Sequence, residues 1–305
     1  MIRLQQHKHA LGSEAYITLV GTDEQFLGAT FATLWQELSL FEQTFSRFLP
    51  DSELTYVNER AGLLTDVSPE FVALTQAVQK YMERTGGLYN PFVLPVLQRA
   101  GYKGSWPHMA TQGGAPDFSN REFSSTASLE ISATSVTIPN QMALDFGGIG
   151  KGYALDQLAH IAQRQSITNY WLSFGGDILA SGTDGDGSPW TIHVGQALNQ
   201  DETCATIQAG SMQYAVATSG TLKRAGEGWN HLIDPRTGQS TNTDILSATV
   251  ATDSGTAADV YAKCLVLVSS KEAPKLARKL GISDYVLQIQ TKRGTVEVIK
   301  QGDFR

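Results

Sequence analysis

A run of glycines beside an acid and a lysine extends from Asp145 to Ala154, where an extended segment turns into a predicted helix. Glycines let backbone N–H groups approach an anionic ligand without an intervening side chain. The start of a helix adds partial positive charge, and Lys151 can add a full one. The run therefore predicts a phosphate or pyrophosphate site, although a glycine-rich turn kept only for steric reasons would give the same residues.

Two common phosphate-binding motifs do not match this run. A P-loop requires a glycine five residues before the Gly-Lys pair and a serine or threonine after it, but these positions hold Asp145 and Gly152. The dinucleotide fingerprint G-x-G-x-x-G also fails, because Tyr153 follows Gly148 and Gly150 at the third glycine position. The chemistry must therefore be inferred from other motifs.

Further short motifs follow in a definite order along the chain. They are Phe45–Leu54 with Val57-Asn58, Thr85–Pro91, Phe174–Ile178, Thr218–Gly220, His231–Gly238 and Ala258-Asp259. In this order and at these separations, the chain resembles the ApbE family of FAD:protein FMN transferases from about Leu11 to about Val268. The aspartate–glycine–lysine run and the histidine–aspartate–proline–threonine–glycine run are the specific motifs.

The resemblance implies both a reaction and a fold. Family members bind FAD and transfer its FMN half through a phosphoester bond to a threonine or serine hydroxyl of an acceptor protein, releasing AMP. This post-translational flavinylation requires a charge clamp on the phosphates, a base for the hydroxyl and a pocket for the isoalloxazine. The implied fold is α+β and two-lobed, a single domain over residues 1–305 with FAD bound between the lobes.

The candidate catalytic base is His231. A histidine titrates near neutrality and can accept a hydroxyl proton as the hydroxyl attacks, and the resemblance assigns His231 this role. Asp234, which precedes Pro235, could orient the histidine or only form a turn. A structural histidine ahead of an Asp-Pro turn is the alternative.

The resemblance also implies a set of FAD-binding residues, which are Leu11, Phe48, Leu88, Tyr89, Asn90, Asp145, Lys151 and Ile233. Phe48 and Tyr89 suit the walls around an aromatic ring, although Phe48 suits an ordinary core equally well. Asp145 could accept a hydrogen bond from ribityl or adenine groups, and Lys151 could pair with a phosphate. The family favours Asp-Pro-Thr where this chain has Asn90-Pro91-Phe92, so we expect a less anionic and less polar pocket.

A magnesium site follows from the resemblance with one departure. Family members hold Mg²⁺ with a carbonyl of the glycine-rich turn and with the Ala-Asp helix, which correspond to Gly148 and Asp259. The third ligand is usually a threonine, but this chain has Lys263. Asp259 and Lys263 are spaced i, i+4 and could form a plain helix salt bridge. Alternatively, the lysine could supply part of the metal's charge, or the remaining oxygens and waters could hold the metal.

Three further functions compete with FMN transfer. The chain could bind FAD without transferring it, split FAD into FMN and AMP, or be an unrelated phosphate-binding module. His231 favours transfer or hydrolysis, because binding alone needs no base.

Composition sets broad limits on the 305-residue chain. A net charge of −7 argues against general binding of nucleic acid or anionic membranes. The sequence has no window of 18 or more apolar residues, so we expect no transmembrane helix. The segment Met1–His9 has no apolar run and no lipobox cysteine, which predicts a cytoplasmic protein, or a periplasmic one if a leader was removed.

The elements that must position these residues are mixed. Apolar spacing predicts a helix after Thr22 as N-cap, with Gln25 completing a capping box, and a second helix from Ser68-Pro69 to Gly86-Gly87. Residues 103–126 predict a long surface loop. Strands are expected near 14–20, 128–138, 169–174, 177–182, 190–194, 203–209 and 213–217, with helices near 150–165, 256–268 and 271–280 and two closing strands. Because helices and strands do not alternate strictly, α+β is favoured.

Overall fold

The structure is a computed structural model that describes residues 1–104, 115–209 and 213–305. Its strands are β1 (Ile2–Ala10), β2 (Ser13–Gly21), β3 (Thr65–Asp66), β4 (Glu130–Ile131), β5 (Ser135–Thr137), β6 (Asn169–Phe174), β7 (Asp177–Ser181), β8 (Trp190–Gly195), β9 (Thr203–Ala209), β10 (Tyr214–Gly220), β11 (Ala225–Gly226), β12 (Trp229–Asn230), β13 (Ile233–Asp234), β14 (Gln239–Ser240), β15 (Ile245–Thr252), β16 (Asp284–Gln290) and β17 (Val296–Gln301). Its helices are α1 (Glu24–Phe45), α2 (Glu53–Glu59), α3 (Pro69–Thr85), α4 (Leu94–Arg99), α5 (Gly150–Arg164), α6 (Gly255–Val266) and α7 (Ala273–Leu280), with a 3₁₀ turn at Pro91–Val93. The predicted α+β class is confirmed.

The chain divides into two compact units. Unit 1 comprises Met1–Ser39, Lys151–Gly220 and Thr243–Arg305, and unit 2 comprises Leu40–Gly150 and Thr221–Asn242. The single domain over residues 1–305 stays a prediction. None of the helices in the described ranges is long and apolar enough to cross a membrane.

Unit 1 is built on an eight-stranded sheet with the order β1-β2-β6-β7-β10-β15-β16-β17, in which every neighbouring pair is antiparallel. The hairpin β8–β9 covers one face, where Trp190 and Ile207 pack with Val216 and Ala251 of the sheet. Side chains alternate along a strand, so the buried Val250 points to the opposite face. Both faces are therefore covered, which explains why seven of the eight residues of β15 are buried.

Unit 2 combines a three-stranded sheet, β3-β5-β4, with the hairpins β11–β12 and β13–β14. The Phe146 ring lies 5.9 Å from the Phe45 ring and 5.6 Å from the Phe71 ring, so the glycine-rich run is anchored in an aromatic core. Asn58 is fully buried, and its amide accepts from the N–H of Leu144 at 2.7 Å and donates to the Leu144 carbonyl at 3.0 Å. This pair of bonds fixes the backbone just before Asp145.

Helix ends follow the sequence signals closely, with one correction. Ser68 caps α3 by accepting from the N–H of Phe71 at 3.2 Å, and Gly86 ends that helix with a left-handed φ of 64°, as predicted. The predicted N-cap Thr22 is wrong. The carboxylate of Asp23 accepts from the N–H of Phe26 at 3.1 Å instead, because a charged acceptor at a helix start also interacts favourably with the helix dipole.

Two other differences concern strands and loops. Strand β1 was not predicted, because its residues are mostly exposed and show no apolar alternation. Of the predicted loop over 103–126, residues 105–114 lie outside the described residues, and residues 115–126 contain no helix or strand.

Candidate active site

A cluster of two lysines and two aspartates lies in unit 1; we call Lys151, Asp177, Asp259 and Lys263 the charged cluster. The Lys151 ammonium pairs with Asp177 and lies 3.9 Å from Oδ1 of Asp259. The Lys263 ammonium pairs with the same Asp259 oxygen. The aspartate side chains are 3% and 1% exposed, whereas the lysines are 17% and 15% exposed. The structure thus brings together Lys151 and Asp259, which the sequence predicted at the FAD and metal sites.

Four elements position the charged cluster. Lys151 lies in the first turn of α5, and Asp259 lies in α6. Asp177 begins β7 directly after Gly175 and Gly176, whose positive φ angles of 63° and 96° form a tight hairpin turn. The N–H of Thr218 on β10 donates to Oδ1 of Asp177 at 3.2 Å.

The glycine after Lys151 is required by close packing of α5 against α6. A Cβ placed on Gly152 would lie 2.2 Å from the carbonyl oxygen of Gly255 and 2.7 Å from Cβ of Asp259. At this approach the N–H of Gly152 donates to Oδ2 of Asp259 at 3.1 Å. Gly152 therefore has a steric role, and it also supplies one of the donors that hold Asp259.

Asp156 fixes the start of α6 and was missed by sequence reasoning. Its carboxylate accepts from the N–H groups of Gly255 at 2.7 Å and Thr256 at 2.9 Å, and from the hydroxyl of Ser254 at 2.8 Å. A carboxylate at a helix start satisfies unpaired N–H groups and favours the dipole. No local sequence pattern indicates this role of Asp156, because its partners are 98 to 100 residues away along the chain.

The surroundings of Asp259 keep it ionised. Burial opposes the charge, but the positive charges of Lys151 and Lys263 and the bond from Gly152 outweigh it, so the pKa of Asp259 lies below its ordinary value of 3.8. The carboxylate is therefore negative at neutral pH.

These contacts do not fit Mg²⁺ at Asp259. Its Oδ1 accepts from the Lys263 ammonium and lies 3.9 Å from that of Lys151, and its Oδ2 accepts from a backbone N–H, while Lys263 also donates to its carbonyl oxygen at 3.3 Å. A divalent ion bound at about 2.0–2.1 Å would have to displace these donors. Among the described residues, no group of three or more His, Cys, Asp or Glu side chains is arranged to hold a metal. The predicted ligand Gly148 lies in unit 2, in the turn just before α5, and its role stays a prediction.

In unit 2, the buried Arg47 contacts the rings of Phe48 and Tyr102. Tyr102 in turn contacts Trp229 and His231. The Arg47 guanidinium lies 4.3 Å from the Phe48 ring centre and 4.7 Å from that of Tyr102, and it donates to the Tyr102 carbonyl at 3.3 Å. Its Nε lies 3.4 Å from Oδ1 of Asp145. Asp145 therefore has a cationic partner within the protein. The only sequence signal for Arg47 is its place in the run Phe45–Leu54.

His231 is held by its own backbone and by aromatic rings. Its N–H donates to the Arg224 carbonyl at 2.9 Å, and its Nδ1 lies 3.2 Å from the same oxygen. Because a carbonyl only accepts, this contact favours the tautomer protonated on Nδ1, in which Nε2 carries the lone pair. The Tyr102 ring lies 6.3 Å from His231 and stacks on Trp229 at 6.2 Å.

Asp234 forms a turn with the residues that follow it. Its carboxylate accepts from the N–H of Arg236 at 2.9 Å and from the Arg236 guanidinium at 2.7 Å. Burial acts against ionisation, yet these bonds and the Arg236 charge leave the pKa of Asp234 below its ordinary value. Its carbonyl accepts from the N–H of Gly238 at 2.8 Å, which closes the loop between β13 and β14.

The other predicted flavin residues are placed by separate elements. Tyr89 is buried, Leu88 is half-buried, and Asn90 caps the 3₁₀ turn by accepting from the N–H of Phe92 at 2.8 Å. Ile233 is buried beside Tyr102 in a small apolar core. These four residues belong to unit 2, and their contact with a flavin stays a prediction.

Leu11 belongs to unit 1, in the turn between β1 and β2. It has a φ of 53°, and Gly12 after it has a φ of 65°. A left-handed conformation costs a leucine roughly 1–2 kcal/mol. Such strain is frequent at ligand sites, which keeps Leu11 a candidate.

Comparison with known proteins gives a consistent result. The sequence model of the ApbE family matches residues 11–286. A curated relative from Klebsiella pneumoniae (strain 342), named FAD:protein FMN transferase, is 23% identical over 288 residues, covering 91% of this chain and 82% of the relative. A relative of the same name from Haemophilus influenzae is 25% identical over 264 residues, covering 82% and 75%. The solved flavin transferase ApbE from Vibrio cholerae shares the fold, with a TM-score of 0.78 at 21% identity over 99% of this chain and 98% of that one.

Proposed function

Because this chain belongs to the ApbE family, we propose that it transfers the FMN moiety of FAD to a threonine or serine hydroxyl of an acceptor protein and releases AMP. Family membership and the names of its relatives support flavin transfer. The observation that carries the proposal for this chain is the charged cluster, in which Lys151 is held between Asp177 and Asp259. FAD binding between two lobes stays a prediction.

The reaction is a phosphoryl transfer. The acceptor oxygen attacks the phosphorus on the FMN side of the pyrophosphate and forms a new phosphoester bond. The bond from that phosphorus to the bridging oxygen breaks, and the oxygen leaves with AMP. The hydroxyl proton passes to a base and then to solvent. Catalysis of this kind depends mainly on positioning and on stabilising the charge of the phosphates.

Lys151 stabilises that charge. An ammonium has three N–H donors, so Lys151 can hold Asp177 and a phosphate oxygen at the same time. The buried Asp177 fixes the ammonium in place, which limits the entropy lost when the phosphate binds.

His231 is the proposed base. The contact of its Nδ1 with the Arg224 carbonyl supports a lone pair on Nε2, which is the state that accepts a hydroxyl proton. The Tyr102 ring, which stacks on Trp229, lies edge-on to the imidazole at 6.3 Å and limits its rotation.

Transfer is tested by mass spectrometry of an acceptor protein after incubation with FAD and this protein. We expect a mass gain equal to FMN on one threonine or serine. His231→Ala should bind FAD but lose about 10²–10⁴-fold in transfer rate. His160→Ala is the matched control, because His160 is exposed on α5.

Other outcomes separate the alternatives. Release of FMN and AMP without an FMN adduct on the acceptor would show that the protein is a hydrolase and not a transferase. Bound FAD that stays intact with every acceptor tried would favour a flavin-binding protein. Normal transfer by His231→Ala would show that another group is the base.

A further inference from the structure

We propose that Lys263 is a built-in cation that takes the place of a divalent metal, so that the charged cluster binds the FAD pyrophosphate through ammonium groups alone. This inference rests on the proposed function, because it assigns the cluster to the pyrophosphate of FAD. It concerns how the phosphate charge is neutralised, which the resemblance to the family leaves to Mg²⁺.

The contacts of Asp259 carry the first step. Lys263 lies one turn after Asp259 on α6, and its ammonium contacts both Oδ1 and the carbonyl oxygen of that residue. These are the oxygens that a hard cation would use at this position. The second carboxylate oxygen accepts from Gly152, so the ammonium occupies the side of Asp259 that a metal needs.

Charge balance carries the second step. The two lysines and two aspartates of the charged cluster sum to zero, and both aspartates are almost fully buried. Before flavin binds, a divalent ion added here would bring two positive charges next to two ammonium groups, and the two aspartates of the charged cluster are already neutralised by those ammonium groups. Uncompensated charge is costly where water is excluded. The cluster is therefore complete without a metal.

Exposure carries the third step. The lysine side chains of the charged cluster are 15–17% exposed, whereas the aspartates are 1–3% exposed. A ligand that arrives from solvent meets ammonium groups, although the cluster is formally neutral. Two of the three N–H donors of the Lys263 ammonium bind Asp259, and the third can bind a phosphate oxygen.

A plain helix salt bridge explains these observations less well. Ordinary i, i+4 pairs stabilise exposed helix faces by a few tenths of a kcal/mol. Here Asp259 is buried, receives a backbone N–H from another helix, and lies 3.9 Å from a second lysine. A surface pair requires none of these contacts.

Binding of Mn²⁺ in the absence of flavin is the first test. Mn²⁺ serves as a paramagnetic probe for a magnesium site and is followed by electron paramagnetic resonance. We expect no saturable Mn²⁺ binding by the wild type over a millimolar range. Lys263→Thr should gain one saturable site, because threonine removes the ammonium and supplies an oxygen. Saturable Mn²⁺ binding by the wild type, or none by a folded Lys263→Thr, would overturn the proposal.

The affinities for FAD and riboflavin provide the second test, because riboflavin lacks phosphates. In EDTA, Lys263→Met should lose about tenfold to hundredfold in FAD affinity, measured by quenching of flavin fluorescence, and keep its riboflavin affinity. Lys275→Met, at an exposed lysine of α7, is the matched control and should bind both flavins as the wild type does. An equal loss for both flavins, or no loss for FAD, would contradict a phosphate contact.

The two tests separate this proposal from the proposed function. If the wild type binds no flavin, FMN transfer fails, but the Mn²⁺ titration still decides whether Lys263 replaces a metal. If Lys263→Thr does not fold, the wild-type titration decides alone: saturable Mn²⁺ binding would overturn the proposal, and its absence would support it.

Discussion

The side-chain amide of Asn90 is used as both an acceptor and a donor. Its Oδ1 accepts from the N–H of Phe92 at 2.8 Å, and its Nδ2 donates to the Ser125 carbonyl at 3.4 Å. An aspartate could supply only the acceptor. The amide is therefore suited to this position by its donor, since a carboxylate would face the Ser125 carbonyl with a negative charge.

Asn90→Asp should lower the free energy of unfolding by about 1–3 kcal/mol at neutral pH, because it removes a donor and buries a charge. Urea unfolding of the variant and the wild type measures the difference. Asn140→Asp, at an exposed position of the same unit, is the control and should change stability by less than about 0.5 kcal/mol. Equal stability of Asn90→Asp and the wild type would show that the Ser125 contact contributes nothing.

The sequence identified part of the site at the residue scale. Lys151 and His231 belong to short runs whose residue types already indicate chemistry, whereas Asp259 was implied only by the resemblance to the ApbE family. The structure brings Lys151 to Asp259. Arg47 and Asp156 escaped prediction because their partners are 55 and about 100 residues distant along the chain. Long-range partners are decided by topology, which local patterns do not encode.

At the element scale, the backbone contact between α5 and α6 determines the geometry of the charged cluster. Gly152 and Gly255 approach so closely that a Cβ on either would lie within 2.6 Å of the other's carbonyl oxygen. This contact lets one helix start donate to a carboxylate on the other. Gly152, which follows Lys151, is thus partly a packing requirement.

Gly152→Ala should separate the two helices and lower the free energy of unfolding by about 1–3 kcal/mol, because the new methyl group meets backbone rather than a flexible side chain. FAD affinity should fall with it, since Asp259 loses a donor. Gly28→Ala is the matched control: Gly28 lies in α1 with nothing within 4 Å of its added Cβ. There the same change should stabilise by about 0.5–1 kcal/mol. A stable Gly152→Ala with normal FAD affinity would contradict this account.

Element boundaries were predicted well where capping chemistry is local. The ends of α3 follow from Ser68 and Gly86, whose side chain and φ angle act within one turn. The first helix was misassigned by one residue, because Thr22 and Asp23 are both good caps and only the contact to Phe26 decides. Strand β1 pairs with β2 through its backbone, so its exposed side chains carry no signal.

At the scale of the whole molecule, several carboxylates are more acidic in the folded state than in a free chain. Burial acts against ionisation of Asp234, Asp244 and Asp259, but hydrogen bonds and nearby cations lower the pKa of each below 3.8. The pKa of Asp117 falls to about 2, chiefly through its bond with Lys103. The ionised forms therefore favour the folded state, and folding stability depends on pH.

The sign of this dependence follows from the lowered pKa values. A carboxylate whose folded pKa is depressed contributes stability that is fully present above its unfolded value of 3.8, and that contribution is lost as pH falls through the lower folded value. Asp234→Asn keeps an acceptor for the N–H of Arg236 but removes a titrating group. The variant should therefore lose less stability than the wild type between about pH 5 and about pH 2, measured by urea unfolding. Asp201→Asn, at an exposed position, is the control. An acid loss in Asp234→Asn as steep as that of the wild type would mean that Asp234 and Arg236 do not stabilise the fold through charge, and that their bonds serve the turn alone.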